Sequence, residues 1–275
     1  MVSAPIASTT IISNRQFQQL LFRFIGHTLQ IGFLVLIAFS VLGTSFLSGV
    51  FGMAGGMVLM GILIAFLPVP AAMVLHGTAQ MTSNGWRAIM WRRNVHFRIF
   101  ARYIAGLLVA AAMFSFMAFV PDKAFVLIAL GIIPFLAVLV PAKFVPQVNR
   151  RFGAELCGFL NTVMQFIAGV SGPLLDVFFV RNQMDRRTIV ATKAACQTFS
   201  HMAKLVYFTS ILGDEVQADE WAMGIAVVMA IMGTSLSKLV LERLTDHQFR
   251  RWTQWIVMTI GAVYLAQGFY VLWSR

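Results

Sequence analysis

Residues 49–87 read GVFGMAGGMVLMGILIAFLPVPAAMVLHGTAQMTSNGWR, and residues 166–204 read FIAGVSGPLLDVFFVRNQMDRRTIVATKAACQTFSHMAK. Each stretch opens on a glycine-rich run and continues into apolar sequence that carries scattered polar residues. An offset of 117 residues, with no gap, pairs two glycines of the first stretch with two of the second: Gly52 with Gly169, and Gly55 with Gly172. Because transporters are often built from two weakly similar repeats, the match predicts a duplicated plan with a helix broken at glycine in each half.

The same offset aligns polar residues on the helix that follows each glycine run. The pairs are His76 with Lys193, Gln80 with Gln197, Ser83 with Ser200, Asn84 with His201, and Arg87 with Lys204. Positions spaced three or four residues apart lie on one face of a helix. Each half is therefore predicted to carry one polar stripe on an otherwise apolar helix.

The composition around these stretches places the chain in a membrane. Of its 275 residues, 59% are hydrophobic and 11% are charged, whereas a soluble domain has about a quarter charged residues. One crossing takes about 20 apolar residues, and only closed structures satisfy the backbone in lipid, so the apolar runs are predicted to be helices. We expect an all-α polytopic membrane protein with about seven to eight membrane helices.

The apolar runs divide the chain into three parts. Residues 1–30 are predicted to be an N-terminal interfacial segment, residues 31–147 the first membrane repeat, and residues 148–275 the second. The runs cover 31–51, 57–67, 70–91, 103–120, 124–141, 153–180, 188–212, 221–241 and 252–273.

Loop charges indicate that the two repeats are inverted. The loop after the first striped helix carries only bases, and its counterpart carries only acids; these are Arg92, Arg93, Arg98 and Arg102 against Asp214, Glu215, Asp219 and Glu220. Since basic loops stay cytoplasmic, the two loops are predicted to lie on opposite sides. This needs an odd number of crossings between them, and 153–180 is the best candidate for a re-entrant segment. By symmetry 31–67 could be its partner, but its first arm is long enough to span, so the side of the N-terminus stays open. The net charge of +11 is therefore explained largely by basic loop residues that orient the chain in the membrane, and no nucleic-acid partner is expected.

Cations inside the apolar helices predict an anion site. Arg87 and Lys204 would each cost roughly 2.5 to 3.5 kcal/mol at the bilayer centre, so they call for a ligand or a partner. Helices beginning at the glycine breaks would add N–H groups and positive dipole ends. The predicted substrate-binding residues are Gly52, Gly55, Gly56, His76, Gln80, Asn84, Arg87, Gly169, Gly172, Lys193, Gln197, Ser200, His201 and Lys204. Two alternatives stay open: that Arg87 and Lys193 reach the interface at helix ends, and that the glycines only pack helices.

Three titratable residues are candidates for proton coupling: Asp176, His76 and His201. Asp176 could instead pair with Lys204 or Lys193, and each histidine could be a hydrogen-bonded structural residue. No phosphate-binding loop or metal-ligand spacing occurs, so neither a cofactor nor a metal is expected. Cys157 and Cys196 are interpreted as small buried apolar residues.

Two other function classes fit parts of the sequence. Gly169-Val-Ser171-Gly172 matches the short motif around the nucleophile of rhomboid intramembrane proteases, and His201 could serve as the base. A scaffold or accessory subunit that transports nothing is the other alternative.

The broken stretches resemble the two halves of the sulfite exporter TauE/SafE family over most of residues 40–240. The resemblance is carried by Gly49 to Gly56, Pro68-Val-Pro70, His76-Gly-Thr78, Gly169 to Pro173, and Asp185 to Thr192. It implies a multi-pass transporter of the cell inner membrane that moves sulfite, thiosulfate or an organosulfonate such as sulfoacetate, usually outward. Alternating access between the repeats would follow, driven by proton exchange or by the membrane potential alone. A homodimer is left open.

Overall fold

In a computed structural model of the chain, the described residues are 14–51, 54–139, 145–179, 184–212, 219–241 and 246–274. These residues form ten α-helices and no strand, so the predicted all-α class is confirmed. The helices are α1 (Asn14–Phe51), α2 (Ala54–Phe66), α3 (Val69–Met90), α4 (Phe97–Met117), α5 (Lys123–Leu139), α6 (Gly153–Ala168), α7 (Gly172–Phe179), α8 (Arg186–Leu212), α9 (Glu220–Leu241) and α10 (Asp246–Trp273).

Within the described ranges, four helical segments are long and apolar enough to cross a bilayer: Gln30–Val50, Phe97–Met117, Glu220–Val240 and Gln254–Trp273. Helices α2 and α5 are apolar but shorter. Helices α3 and α8 have the length but not the apolarity, because their polar stripes lower the average. The outward faces carry large apolar side chains, including Phe116 and Trp273, each 91% exposed, as lipid contact requires.

Several helices extend beyond the apolar runs of the sequence. Helix α4 begins at Phe97, six residues before its run, and α10 begins at Asp246. A run defined by apolarity stops at charged residues, whereas a helix continues through a charged first turn. Helix α1 runs unbroken from Asn14 to Phe51, and the interfacial placement of residues 1–30 stays a prediction. The acidic loop falls mostly on 213–218, outside the described residues.

The break predicted in the second half is present. Helix α6 ends at Ala168, and Gly169 adopts φ +73°, with its N–H donating to the Gln165 carbonyl at 3.0 Å. Only glycine enters this left-handed region without strain. A Cβ at Gly169 would also lie 2.7 Å from Met60 Cε and Met73 Sδ. In the first half, α1 ends at Phe51 and α2 begins at Ala54, while Gly52 lies outside the described residues.

Asp185 starts helix α8 as its N-cap. Its Oδ1 accepts hydrogen bonds from the backbone N–H groups of Arg187 at 2.9 Å and Thr188 at 3.1 Å, and Oδ2 accepts from the Thr188 hydroxyl. The Thr188 hydroxyl and these N–H groups favour the charged carboxylate and so lower the pKa of Asp185. The cap sets the residue at which α8 begins, and α8 is the helix that carries the second polar stripe.

The two halves are interlocked. Helix α1 packs on α9 and α4 packs on α6, while α3 packs on α8 and α5 packs on α10. Helices α4 and α6 approach closely at Gly158, where a Cβ would overlap the Tyr103 carbonyl oxygen. Arg102 then joins the same two helices through two hydrogen bonds of 2.7 Å to the Glu155 carboxylate. Because the two striped helices face each other, their polar residues meet inside the protein.

Candidate functional site

Both polar stripes are buried where α3 packs on α8. The buried polar residues are His76, Gln80, Ser83, Asn84 and Arg87 on α3, and Gln197, Ser200, His201 and Lys204 on α8. Arg87 is 7% exposed and Lys204 is 0% exposed. Both cations are therefore buried within the protein, and Arg87 lies in the last turn of α3. The structure brings the predicted residues of the two stripes together, apart from Lys193, which is half-buried.

Lys204 joins α8 to two other parts of the protein. Its Nζ lies 2.8 Å from His76 Nδ1 on α3 and donates to the Gly169 carbonyl at 2.9 Å, in the break between α6 and α7. Among the described residues, no carboxylate forms an ion pair with it. The ammonium is thus held by neutral acceptors only.

The neighbours of His76 define its tautomer. Nε2 lies 2.9 Å from the Gly56 carbonyl oxygen, and a carbonyl oxygen can only accept. Nε2 therefore carries the hydrogen, which leaves the Nδ1 lone pair to accept from Lys204. A continuous chain of hydrogen bonds runs from the start of α2, through His76 and Lys204, to Gly169. It connects the glycine-rich regions of both halves.

A small cavity lies beside this chain. It holds about 10 Å³, which is space for about one water molecule. Its lining residues are Gly56, His76, Gln80, Asn84, Val170, Ser171, Gly172, Gln197 and His201. Two pairs related by the offset, Gln80 with Gln197 and Asn84 with His201, contribute from opposite sides. Among the lining residues, the two histidines are the ones with an ionisable side chain.

A hydrogen-bonded network surrounds the second stripe. Gln165 Nε2 donates to Gln197 Oε1 at 3.1 Å and lies 3.1 Å from His201 Nε2. Gln197 Nε2 in turn donates to Asn161 Oδ1 and Ser171 Oγ, both at 3.4 Å. Helix α6 therefore contributes directly to the site.

The network continues to α4. Ser200 Oγ lies 2.6 Å from the Tyr103 hydroxyl, and Asn161 Nδ2 donates to Ser200 Oγ at 3.2 Å and also to Tyr103. On the first stripe, Ser83 Oγ makes the corresponding contact with Thr234 Oγ1 of α9, at 2.7 Å. Each stripe is thus anchored to a helix of the other half.

Sequence reasoning missed Asn161, Gln165 and Tyr103. Two of them could have been found, because the 117-residue offset also pairs residues just before the glycine runs. These pairs are Thr44 with Asn161, Ser45 with Thr162, and Ser48 with Gln165. The repeat thus begins before the glycines, with polar residues at the end of α1 and of α6. Tyr103 has no such signal, since it stands alone in an apolar run.

Asp176 forms an ion pair with Lys193, one of the two pairings that the sequence left open. The pair joins α7 to α8, and the side chains are 40% exposed for Asp176 and 16% for Lys193. Lys193 holds a short broken helix in place, as its offset partner His76 does through the Gly56 carbonyl. Asp176 is therefore not the partner of Lys204.

Ser171 and His201 do not form a nucleophile–base pair in this conformation. The Ser171 hydroxyl accepts from Gln197 at 3.4 Å, and within the described part of the chain no hydrogen bond joins it to His201, which contacts Gln165. Cys157 and Cys196 are buried and free. Across the described helices, no group of three or more His, Cys, Asp or Glu side chains could hold a metal ion.

Comparison with known proteins gives one match. The sequence model of the family described as "Sulfite exporter TauE/SafE" matches residues 36–264. No curated protein and no solved structure matches the chain.

Proposed function

Because the chain belongs to the sulfite exporter TauE/SafE family, we propose that it carries small sulfur-containing anions outward across the cell inner membrane. Sulfite, thiosulfate and organosulfonates such as sulfoacetate are the proposed substrates. The family is one of membrane transporters for such anions, and the apolar helices agree with that setting.

One observation carries the proposal: two buried cations stand beside a small polar cavity without a carboxylate partner in the described part of the chain. Arg87 and Lys204 provide positive charge, and Gln80, Gln197 and the start of α7 at Gly172 provide neutral donors around the cavity. An unpaired charge in the membrane interior is costly and usually marks a transport pathway. Donors with net positive charge suit an oxyanion.

We further propose that the halves are inverted repeats which give alternating access. Helix packing supports the two repeats, because exchanging the equivalent helices of the two halves reproduces the main contacts. The loop charges support their inversion. Helix α1 packs on α9 as α6 packs on α4, and α2 contacts α10 as α7 contacts α5. The cavity is smaller than a sulfur oxyanion, so substrate entry requires the halves to move apart.

Among the coupling candidates Asp176, His76 and His201, the geometry favours His76. A proton on Nδ1 would occupy the lone pair that now accepts from Lys204. Proton arrival would then release the ammonium and loosen the link between α3 and α8. Export driven by the membrane potential alone is the alternative within this proposal.

Counterflow in proteoliposomes tests the function. Vesicles with purified protein and loaded with unlabelled sulfite should take up labelled sulfite, and excess thiosulfate or sulfoacetate should compete. Empty vesicles are the first control. Lys123→Ala, at an exposed residue that starts α5 and belongs to neither stripe, is the second and should retain counterflow. If the protein gives no counterflow with sulfite, thiosulfate, sulfoacetate or taurine, the proposed function is wrong.

A further inference from the structure

Buried polar atoms without a hydrogen-bond partner are concentrated near the stripes. Within the described residues these atoms are Ser45 Oγ, Ser48 Oγ, Gln80 Nε2, Arg87 Nη2, Thr162 Oγ1 and Gln165 Oε1. Buried polar groups normally have partners, because an unsatisfied one loses the free energy of its hydration. Four of the six belong to the first half, on α1 and α3.

The two halves differ in how their equivalent residues are bonded. Gln197 donates to Asn161 and Ser171, whereas the Nε2 of its offset partner Gln80 has no partner among the described residues. Similarly, Lys204 is held at both His76 and Gly169, whereas Arg87 keeps one guanidinium nitrogen unpaired. On α3, Gln80 Nε2 and Arg87 Nη2 therefore lack the partners that their equivalents on α8 have. On α1 and α6 the two halves are alike, because Ser45 and Thr162, and Ser48 and Gln165, each keep one unpartnered atom among the described residues.

Two of these donors flank the beginning of α2. A Cβ at Gly55 would lie 2.5 Å from Ser48 Oγ, and a Cβ at Gly56 would lie 3.2 Å from the amide oxygen of Gln80 and 3.7 Å from its unpartnered Nε2. Both side chains therefore contact the first turn of this 13-residue helix. The first turn of a helix has N–H groups without an intrahelical acceptor and a partial positive charge. Ser48 is 3% exposed and Gln80 is 4% exposed.

Arg87 extends back along α3 toward Asn84. It lies about two turns beyond Gln80 on α3, and a long side chain on a helix points back toward the N-terminus. The hydrogen bond from Arg87 Nη1 to Asn84 Oδ1, at 3.4 Å, shows this direction. Asn84 lines the same cavity as Gln80 and Gly56.

The charge around this cluster is positive. The first 121 residues contain no Asp or Glu, so α1 to α4 hold no counter-ion for Arg87. On the opposing helix α9, Thr234 contacts Ser83 of α3, and Glu220 lies about 21 Å further along that helix. Two other carboxylates, Glu155 and Asp176, pair with Arg102 and Lys193.

We propose that Ser48, Gln80 and Arg87, together with the first turn of α2, form the subsite that binds the oxygen atoms of the anion. Three side-chain donors and a helix N-terminus match the three oxygens of a pyramidal or terminal SO3 group. Lys204 is a positioning residue, which holds α3 and the α6–α7 break in register without touching the anion. This inference rests on the proposed transport of a sulfur oxyanion.

Titration calorimetry of the full-length protein with sodium sulfite tests the subsite. We expect Ser48→Ala to weaken binding about 10-fold and Arg87→Gln about 100-fold, as loss of hydrogen bonds to a charged ligand predicts. Ser45→Ala is the matched control: it lies on the same helix, is equally buried and unpartnered, but packs against Gly233 of α9. It should change Kd by less than about 2-fold.

Folding is monitored by thermal unfolding without ligand. Ser48→Ala removes a buried oxygen that has no partner in the described region, so the unfolding temperature should stay level or rise while affinity falls. Opposite changes in stability and affinity cannot arise from misfolding.

Lys204→Met and Lys204→Arg test the positioning role. Lys204→Met should leave the sulfite Kd within about 3-fold and abolish counterflow, and Lys204→Arg should recover part of the flux. The subsite is overturned if Ser48→Ala binds like Ser45→Ala, or if Lys204→Met weakens binding as much as Arg87→Gln. If the unaltered protein binds none of sulfite, thiosulfate and sulfoacetate, the proposed function itself fails, and the subsite with it.

Discussion

Lys204 shows how a single buried charge is accommodated in this protein. Its ammonium has two neutral acceptors, one on an imidazole and one on a backbone carbonyl that a helix break has freed. A buried cation of this kind is stable only while both acceptors are present, because its hydration has been lost. The same contacts fix His76 as the neutral Nε2–H tautomer. The two residues are thus interdependent, although they are far apart in sequence.

A double-mutant cycle measures that interdependence. His76→Leu leaves the ammonium with one acceptor, and Lys204→Met leaves His76 Nδ1 and the Gly169 carbonyl without a donor, so each single change should destabilise the protein. The double variant should be less destabilised than the sum by about 1 to 3 kcal/mol, measured as the free energy of unfolding in mixed micelles. Pairing His76→Leu with Ser115→Ala, at an exposed residue of α4, should be additive. An additive result for His76 with Lys204 would contradict the hydrogen bond.

Among the helices, the interruption between α6 and α7 has the largest consequence for the site. It frees the Gly169 carbonyl for Lys204 and turns the start of α7 toward the cavity at Gly172. The interruption is encoded locally, by a glycine at positive φ followed by a proline within the first turn of α7. The polar stripes, by contrast, depend on tertiary packing, because their side chains are buried only when α3 packs on α8.

Gly169→Ala should therefore damage the break. The left-handed backbone is strained for alanine, and the new methyl group would meet Met60 and Met73, so we expect a loss of about 1 to 3 kcal/mol of unfolding free energy. Gly224→Ala is the matched control, because a Cβ there meets open space within an ordinary helix. It should be neutral or slightly stabilising. Equal effects of the two substitutions would show that the break does not depend on glycine.

At the scale of the whole molecule, the halves are not side by side but interlocked. Helices α1 and α3 pack on α9, and α4 packs on α6 and α8. The alternating access proposed above would therefore have to rearrange these contacts as well as those of α3 with α8, beside which the cavity lies. The same arrangement makes the inverted orientation testable from loops alone.

Cysteine labelling in whole cells tests that orientation. In a background with Cys157 and Cys196 replaced by alanine, Arg93→Cys should react with a membrane-impermeant thiol reagent only after the cells are permeabilised. Glu220→Cys should react in intact cells, because its loop is predicted to lie outside. The cysteine-free background is the control for nonspecific labelling. Reaction of both positions from one side would disprove the inversion.

The sequence alone was sufficient for the features that depend on local physics. Apolar run lengths predicted the all-α membrane class, Gly169 to Pro173 predicted the break, and the 117-residue offset predicted two polar stripes. Each follows from short-range rules: the thickness of a bilayer, the backbone freedom of glycine, and the period of a helix.

Tertiary structure decided which polar atoms are partners. That Lys204 bonds to His76 and Gly169, that Asp176 pairs with Lys193, and that Tyr103 joins the second stripe are results of how helices cross. Such contacts join residues up to 128 positions apart, and periodicity within one helix carries no information about the rotation of another. The sequence therefore determined which residues are polar, while only the packing of the helices determined which of them have hydrogen-bond partners within the described part of the chain.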